Sequence, residues 1–197
     1  MQTLGLASEG RRSDGWLKSL LWPTVDNAWD VNYLGQQGFW ICMVLAAISL
    51  GALLLTGNVV MIGVGVLLAF FYFLGGMGVR EGNWPAAALV FALHFLGVVS
   101  RISLGPMIVV SVLLCAVLLS NVRATFLASE WKAPAEGEDR PTRFNESFAD
   151  KFVDQMPAKL WPVLQIPFYI LGAALLMLTM TESTLARRQS AFDKPRP

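Results

Sequence analysis

The sequence predicts an all-α fold: a polytopic transmembrane helical bundle of about five spans, braced by two interfacial amphipathic helices. Three observations carry this reading. The 197-residue chain is only 15% charged, against about 25% for an ordinary soluble domain. Its mean hydropathy is positive, at +0.54. And the charge is missing in one place: between Gly38 and Ser120 the only formal charges are Arg80, Glu81 and Arg101. A soluble chain of this size leaves too much of its surface wet to hide so long an apolar stretch.

The elements follow in chain order. Residues 1–37 form a polar approach studded with tryptophan. Trp16, Leu17, Leu20 and Leu21 repeat at helical spacing, with Ser13 or Asp14 as N-cap and Pro23 as the stop. A short helix lying at headgroup depth fits, because Trp favours that layer; a disordered tail is the competing reading. The apolar run here is too short and too broken by Lys18 for a cleavable signal, so the first span is expected to insert as an uncleaved anchor.

Residues 38–131 are read as a four-helix transmembrane region. The first span runs from about Gly38 to Leu55 and the second from about Val59 to Val79, each near the roughly 20 residues a bilayer requires. Thr56-Gly57-Asn58 between them is so short that the two helices must be antiparallel neighbours. Arg80 to Pro85 makes a polar turn, with Pro85 placed for the next first turn. The third segment, Ala86 to Ser100, is short enough to span or to re-enter. Arg101 and Gly105-Pro106 separate it from a fourth segment, since one helix through both would put a charge near midplane at a cost of about 3 kcal/mol. The fourth helix projects beyond Ser120 to about Trp131.

Residues 132–157 read as an exposed loop and a second amphipathic helix, with Phe148, Phe152, Val153 and Met156 on one face and Asp150, Lys151 and Asp154 opposite. The fifth span, within 158–181, runs from about Leu160 to Met180 and contains Pro162 and Pro167, which predict a bend near its start. Residues 182–197 are expected to be a disordered tail.

With five spans one side collects Arg11, Arg12, Lys18, Arg80, Arg123, Lys132, Arg140, Arg143, Lys151 and Lys159, ten of the fifteen basic residues. The positive-inside rule then places the N-terminus in the cytoplasm. The chain is accordingly expected to be multi-pass, with the lipid bilayer as its first partner.

Chemistry-bearing patterns are sparse. Cys42 and Cys115 lie in apolar stretches and behave as small hydrophobes, and a single histidine leaves no soft-ligand zinc site. No basic block suggests nucleic acid, and no cofactor motif is present; Gly75-Gly76-Met77-Gly78 lacks the Lys-Ser/Thr of a phosphate loop. Asp26, Asn27, Asp30 and Asn32 gather oxygens before the first span, as a hard cation would need, but the stretch lacks the glycine and terminal Glu of a calcium loop, and turns and caps are the reading adopted. Asn145-Glu146-Ser147 forms a glycosylation sequon that a cytoplasmic loop would never use. Catalysis by Ser/His/Asp or Cys/His fails because the sole histidine, His94, lies deep in the third span whereas the acidic residues lie in loops and span ends, so no catalytic residue is assigned.

The candidate intramembrane polar residues are therefore His94, Ser111 and Gln165. His94 could hold a haem iron, relay a proton or bond a neighbouring helix, and the last of these is the reading adopted. Small residues offer a packing surface, with Ala47 and Gly51 four apart and Gly63, Gly65, Gly75, Gly76 and Gly78 thinning the second span. Packing within the chain is the favoured use, self-association the other. These features point to a non-catalytic accessory or scaffolding component of a membrane assembly, associated with other membrane proteins or with itself. A small oligomeric transporter or channel is the alternative, and an enzyme the least favoured class.

Overall fold

A computed structural model of the chain describes residues 18, 21–25, 28–55, 58–100, 107–130 and 151–192. Among these residues there are five α-helices: α1 (Ala28–Leu54), α2 (Val59–Arg80), α3 (Trp84–Val99), α4 (Met107–Ser129) and α5 (Met156–Phe192), the last preceded by a π turn over Lys151–Gln155. Four stretches, Asp30–Gly51, Val59–Arg80, Ile108–Ser129 and Lys151–Thr181, are long and apolar enough to cross a membrane, as a multi-pass protein requires. The third helix has only 16 residues, roughly 24 Å of length.

Successive helices alternate in direction. Arg80 at the end of α2 reaches Asn32 near the start of α1, and a side chain at Gly76 would strike Cys42, so α1 and α2 are antiparallel neighbours as their short connection dictates. Gly78 faces Ala86 and Gly75 faces Val90, which turns α3 back along α2. Gly38 faces Asn121, which sets α4 against α1, and the rings of Trp84 and Phe126 meet edge-on at 5.7 Å to tie the start of α3 to the end of α4. Gly78 against Trp161 and Gly172 against Phe71 align α5 antiparallel to α2. One end of the bundle thus gathers the starts of α1, α3 and α5 with the ends of α2 and α4.

Local chemistry explains the junctions. Asn58 caps α2, its Oδ1 accepting from the N–H groups of Val60 and Met61 at 2.9 and 3.3 Å. At the other end Gly82 adopts φ +70°, while the N–H groups of Gly82 and Asn83 donate to the carbonyls of Val79 and Gly78. This αL stop fits glycine because it has no Cβ to clash. Asn83 then caps α3 by accepting from Ala86 N–H at 3.0 Å, and Pro85 occupies the first turn, where its missing N–H costs nothing.

The core lies in the gathered half. Phe39, Phe71, Leu74, Met77, Val90 and Phe168 are fully buried there, and Phe71 stacks on Phe168 with 5.1 Å between ring centroids. From Phe71 to Arg80 nearly all of α2 is buried, because Gly75, Gly76 and Gly78 let three neighbours close on its backbone. In the other half the helices present apolar side chains outward: Ile48, Val60, Val64, Val109, Val112 and Met177 are all exposed.

Several expectations are corrected. The first helix begins at Ala28, ten residues before the predicted Gly38, because Leu34 is fully buried against Val25 and Ala124 and extends the packed face outward. Of the predicted second amphipathic helix only Lys151 onward is described, Phe148 and Asp150 lying outside the described residues, and there a π turn at Lys151–Gln155 runs directly into α5. Its i+5 bonding departs from the α-helical period, so Asp154 turns inward and is buried. The last helix continues past Thr181 to Phe192 where a disordered tail was expected, since no Gly or Pro interrupts 173–194. Ala47 is exposed and Gly51 and Gly63 have open space around them, so these small residues do not serve packing within the described chain.

Of the N-terminal interfacial helix only a turn is described, closed by Trp22 N–H on the Lys18 carbonyl at 2.9 Å. Asp26, the turn at 101–106, the loop at 132–146 and the sequon lie outside the described residues.

Candidate functional site

The most heavily bonded polar group in the bundle is a charge buried where α1, α2 and the π turn meet. Arg80 is fixed at the end of α2 by the Gly82 stop, which holds the last turn regular up to the arginine. Its Nε donates to Asp154 Oδ1 at 2.9 Å and Nη2 donates to the same oxygen, forming an ion pair with side chains only 2% and 7% exposed. Nη1 donates to the backbone carbonyl of Asn32 at 2.8 Å and to its Oδ1 at 2.9 Å. Gly35, one turn further along α1, lies beside the guanidinium; a Cβ there would sit 3.6 Å from Nη1, in ordinary van der Waals contact. Three elements distant in sequence are clamped by one planar fork, a geometry an ammonium could not reproduce. With its donors so engaged, Arg80 is a structural cation and not an open anion site.

A second polar group lies between α1 and α4. Asn121 Nδ2 donates to the Val117 carbonyl at 3.0 Å and Thr125 Oγ1 to the Asn121 carbonyl at 2.9 Å. Asn121 Oδ1 faces Gly38 so closely that a Cβ would fall 2.6 Å from it. Among the described residues Asn121 Oδ1, Ser120 Oγ and Gln37 Oε1 are buried without a hydrogen-bond partner. A third link joins α5 to the α2–α3 turn, where Tyr169 donates its hydroxyl to Asn83 Oδ1 at 2.7 Å.

The candidates from the sequence fall elsewhere. His94 is half-buried on α3 with its ring edge-on to Tyr72, centroids 6.4 Å apart. Ser111 is half-buried near the start of α4. Gln165 on α5 donates Nε2 to the Pro162 carbonyl of its own helix at 3.3 Å. The structure puts the three on three helices and gathers them around no cavity among the described residues. A groove of about 730 Å³ instead runs along the outside of α1 and α4, lined by residues such as Gln37, Trp40, Val44, Val110 and Val117.

Arg80, Asp154 and Asn121 were not singled out as site residues by sequence reasoning, and Asn32 only as one of the oxygen-bearing side chains gathered before the first span. One signal was available: the glycine run ending at Gly78, directly before Arg80, marks a backbone that several neighbours approach. Nothing local marked Asp154, which on an α-helical period falls on the wet face. No group of three His, Cys, Asp or Glu side chains that could hold a metal occurs among the described residues. Comparisons of the chain with protein-family models, with curated proteins and with solved structures find no match.

Proposed function

We propose that the chain is a non-catalytic component of a membrane assembly, working by packing its helices against helices outside itself. The observation that carries this is the division of the bundle into a closed half and an open half. In the closed half the buried charges of Arg80 and Asp154 are spent on each other, in the clamp that also holds Asn32. In the open half, α1 and α2 present Ile48, Val60 and Val64 outward beside Ala47, Gly51 and Gly63, positions with space for a close helix. The bundle end holding the clamp is assigned to the cytoplasm together with the N-terminus, on the excess of Lys and Arg there. In this reading α3 crosses the bilayer with its neighbours.

The test is purification of the tagged chain in mild detergent, with sizing and mass spectrometry, beside the double variant Gly51→Leu/Gly63→Leu. Nothing lies within 4 Å of a Cβ at either glycine, and both positions are exposed, so the substitutions enter open space. A second polypeptide at fixed stoichiometry, lost from the variant, is expected. A wild-type chain that runs as a monomer, or a variant that keeps the same companions, overturns the proposal. A homo-oligomer that conducts solute in proteoliposomes would favour the transporter reading instead.

A further inference from the structure

The π turn that carries Asp154 inward also changes the face it leaves. On an ideal α-helix Asp154 stands one turn from Lys151, at the spacing where opposite charges pair. Here its carboxylate is buried and spent on Arg80 instead. The turn rearranges the lysines as well. Eight α-helical residues wind through about 800°, which would set Lys151 and Lys159 about 80° apart. A π turn winds less per residue, because its bonds close on i+5, and so brings the two toward one line. They line a single pocket of about 310 Å³ with Gln155, Met156 and Leu160, and no acidic residue lines it. Both lysines are exposed, and among the described residues neither takes part in an ion pair or a hydrogen bond.

The depth of this pocket is that of a lipid headgroup. Leu160 to Met180 covers roughly 30 Å at 1.5 Å per residue, the thickness of a hydrocarbon core, which leaves Lys159 just outside it. Phe152, beside Lys151, lies against the exposed Trp40 with 6.2 Å between ring centroids, and tryptophan favours the same layer. From Lys159 inward, Val163, Ile166 and Ile170 follow at spacings of four, three and four residues, one stripe of α5, and all three are exposed. Two cations thus stand at the head of an apolar track, the order of a phosphate and its acyl chain.

We infer that this face of α5 binds one anionic phospholipid, its phosphate held by Lys151 and Lys159 and one acyl chain lying along Val163, Ile166 and Ile170. A zwitterionic lipid brings the same phosphate together with an ammonium, and the pocket has no acid to receive the ammonium. A soluble phosphate brings the charge but no chain to cover the stripe. The site needs no partner protein, so it stands or falls separately from the proposed assembly.

The test uses the full chain in mild detergent, offered equal amounts of phosphatidylglycerol, phosphatidylethanolamine and phosphatidylcholine of one acyl composition. Retained lipid is read by native mass spectrometry. Phosphatidylglycerol is expected at about 30-fold over each of the others, at about 1 kcal/mol for each lysine. Lys151→Gln and Lys159→Gln should each lower that ratio about fivefold, and the double variant should abolish it. Lys18→Gln, at an exposed position outside the pocket, should leave the ratio unchanged, and millimolar glycerol 3-phosphate should not displace the lipid. Equal retention of the three lipids overturns the inference, as does a ratio that survives the double variant. An equal loss from Lys18→Gln would reveal a diffuse positive face, and displacement by glycerol 3-phosphate a soluble-anion site; either result overturns it too.

Discussion

Cutting the Arg80 clamp tests the central structural argument most directly. In Arg80→Met the carboxylate of Asp154, 7% exposed, loses its partner, and Asn32 loses the donor to both its carbonyl and its Oδ1. Breaking a buried pair from one side typically costs about 3–5 kcal/mol, because the remaining charge stays buried and uncompensated. Asp154→Leu strands the guanidinium in the same way and should cost a similar amount. The double variant Arg80→Met/Asp154→Leu removes both charges, so it should be less destabilised than the sum of the singles by at least about 2 kcal/mol. The assay is built into the chain: Cys42 is 0% and Cys115 9% exposed, so a thiol-reactive fluorophore reports unfolding in detergent during a thermal or denaturant ramp. Single variants that each cost less than about 1 kcal/mol, the worth of a surface pair, would refute the reasoning, as would strictly additive losses.

The same assay serves three further predictions. Gly75→Ala, where a Cβ would meet Val90 Cγ2 at 2.3 Å, should destabilise by about 1–3 kcal/mol, whereas Gly63→Ala, with open space around it, should be neutral or gain up to about 1 kcal/mol of helix propensity. Equal effects at the two glycines would contradict the assignment of α2's packed and open halves. Tyr169→Phe removes the 2.7 Å bond to Asn83 and should cost about 1 kcal/mol, and Asn83→Ala should cost more because it also uncaps α3. His94→Leu should leave abundance and thiol protection unchanged; a coloured cofactor or a solute flux lost in that variant would show that the histidine does more than pack.

The sequence by itself determined the helices that could cross a bilayer and the order of their directions. An apolar stretch without water must bond its own backbone, so hydropathy and length alone specify helices, and connections as short as Thr56-Gly57-Asn58 and Glu81-Gly82-Asn83 force antiparallel neighbours. It also offered the glycines that permit close approach, though not which of them would be used: Gly75, Gly76 and Gly78 meet neighbours, while Gly51 and Gly63 meet none. Only the tertiary structure decided where the polar side chains went. Asp154 lies on the wrong face of an ideal α-helix and reaches Arg80, 74 residues away, because a π turn breaks the period on which sequence reading depends. Asn32 and Asn121 look like interfacial residues in one dimension, and become a cation's ligand and a buried acceptor only when α1 is laid between α2 and α4. Helix formation is a local consequence of the solvent, legible residue by residue. The pairing of polar groups is a property of the contacts between helices, which no local pattern carries.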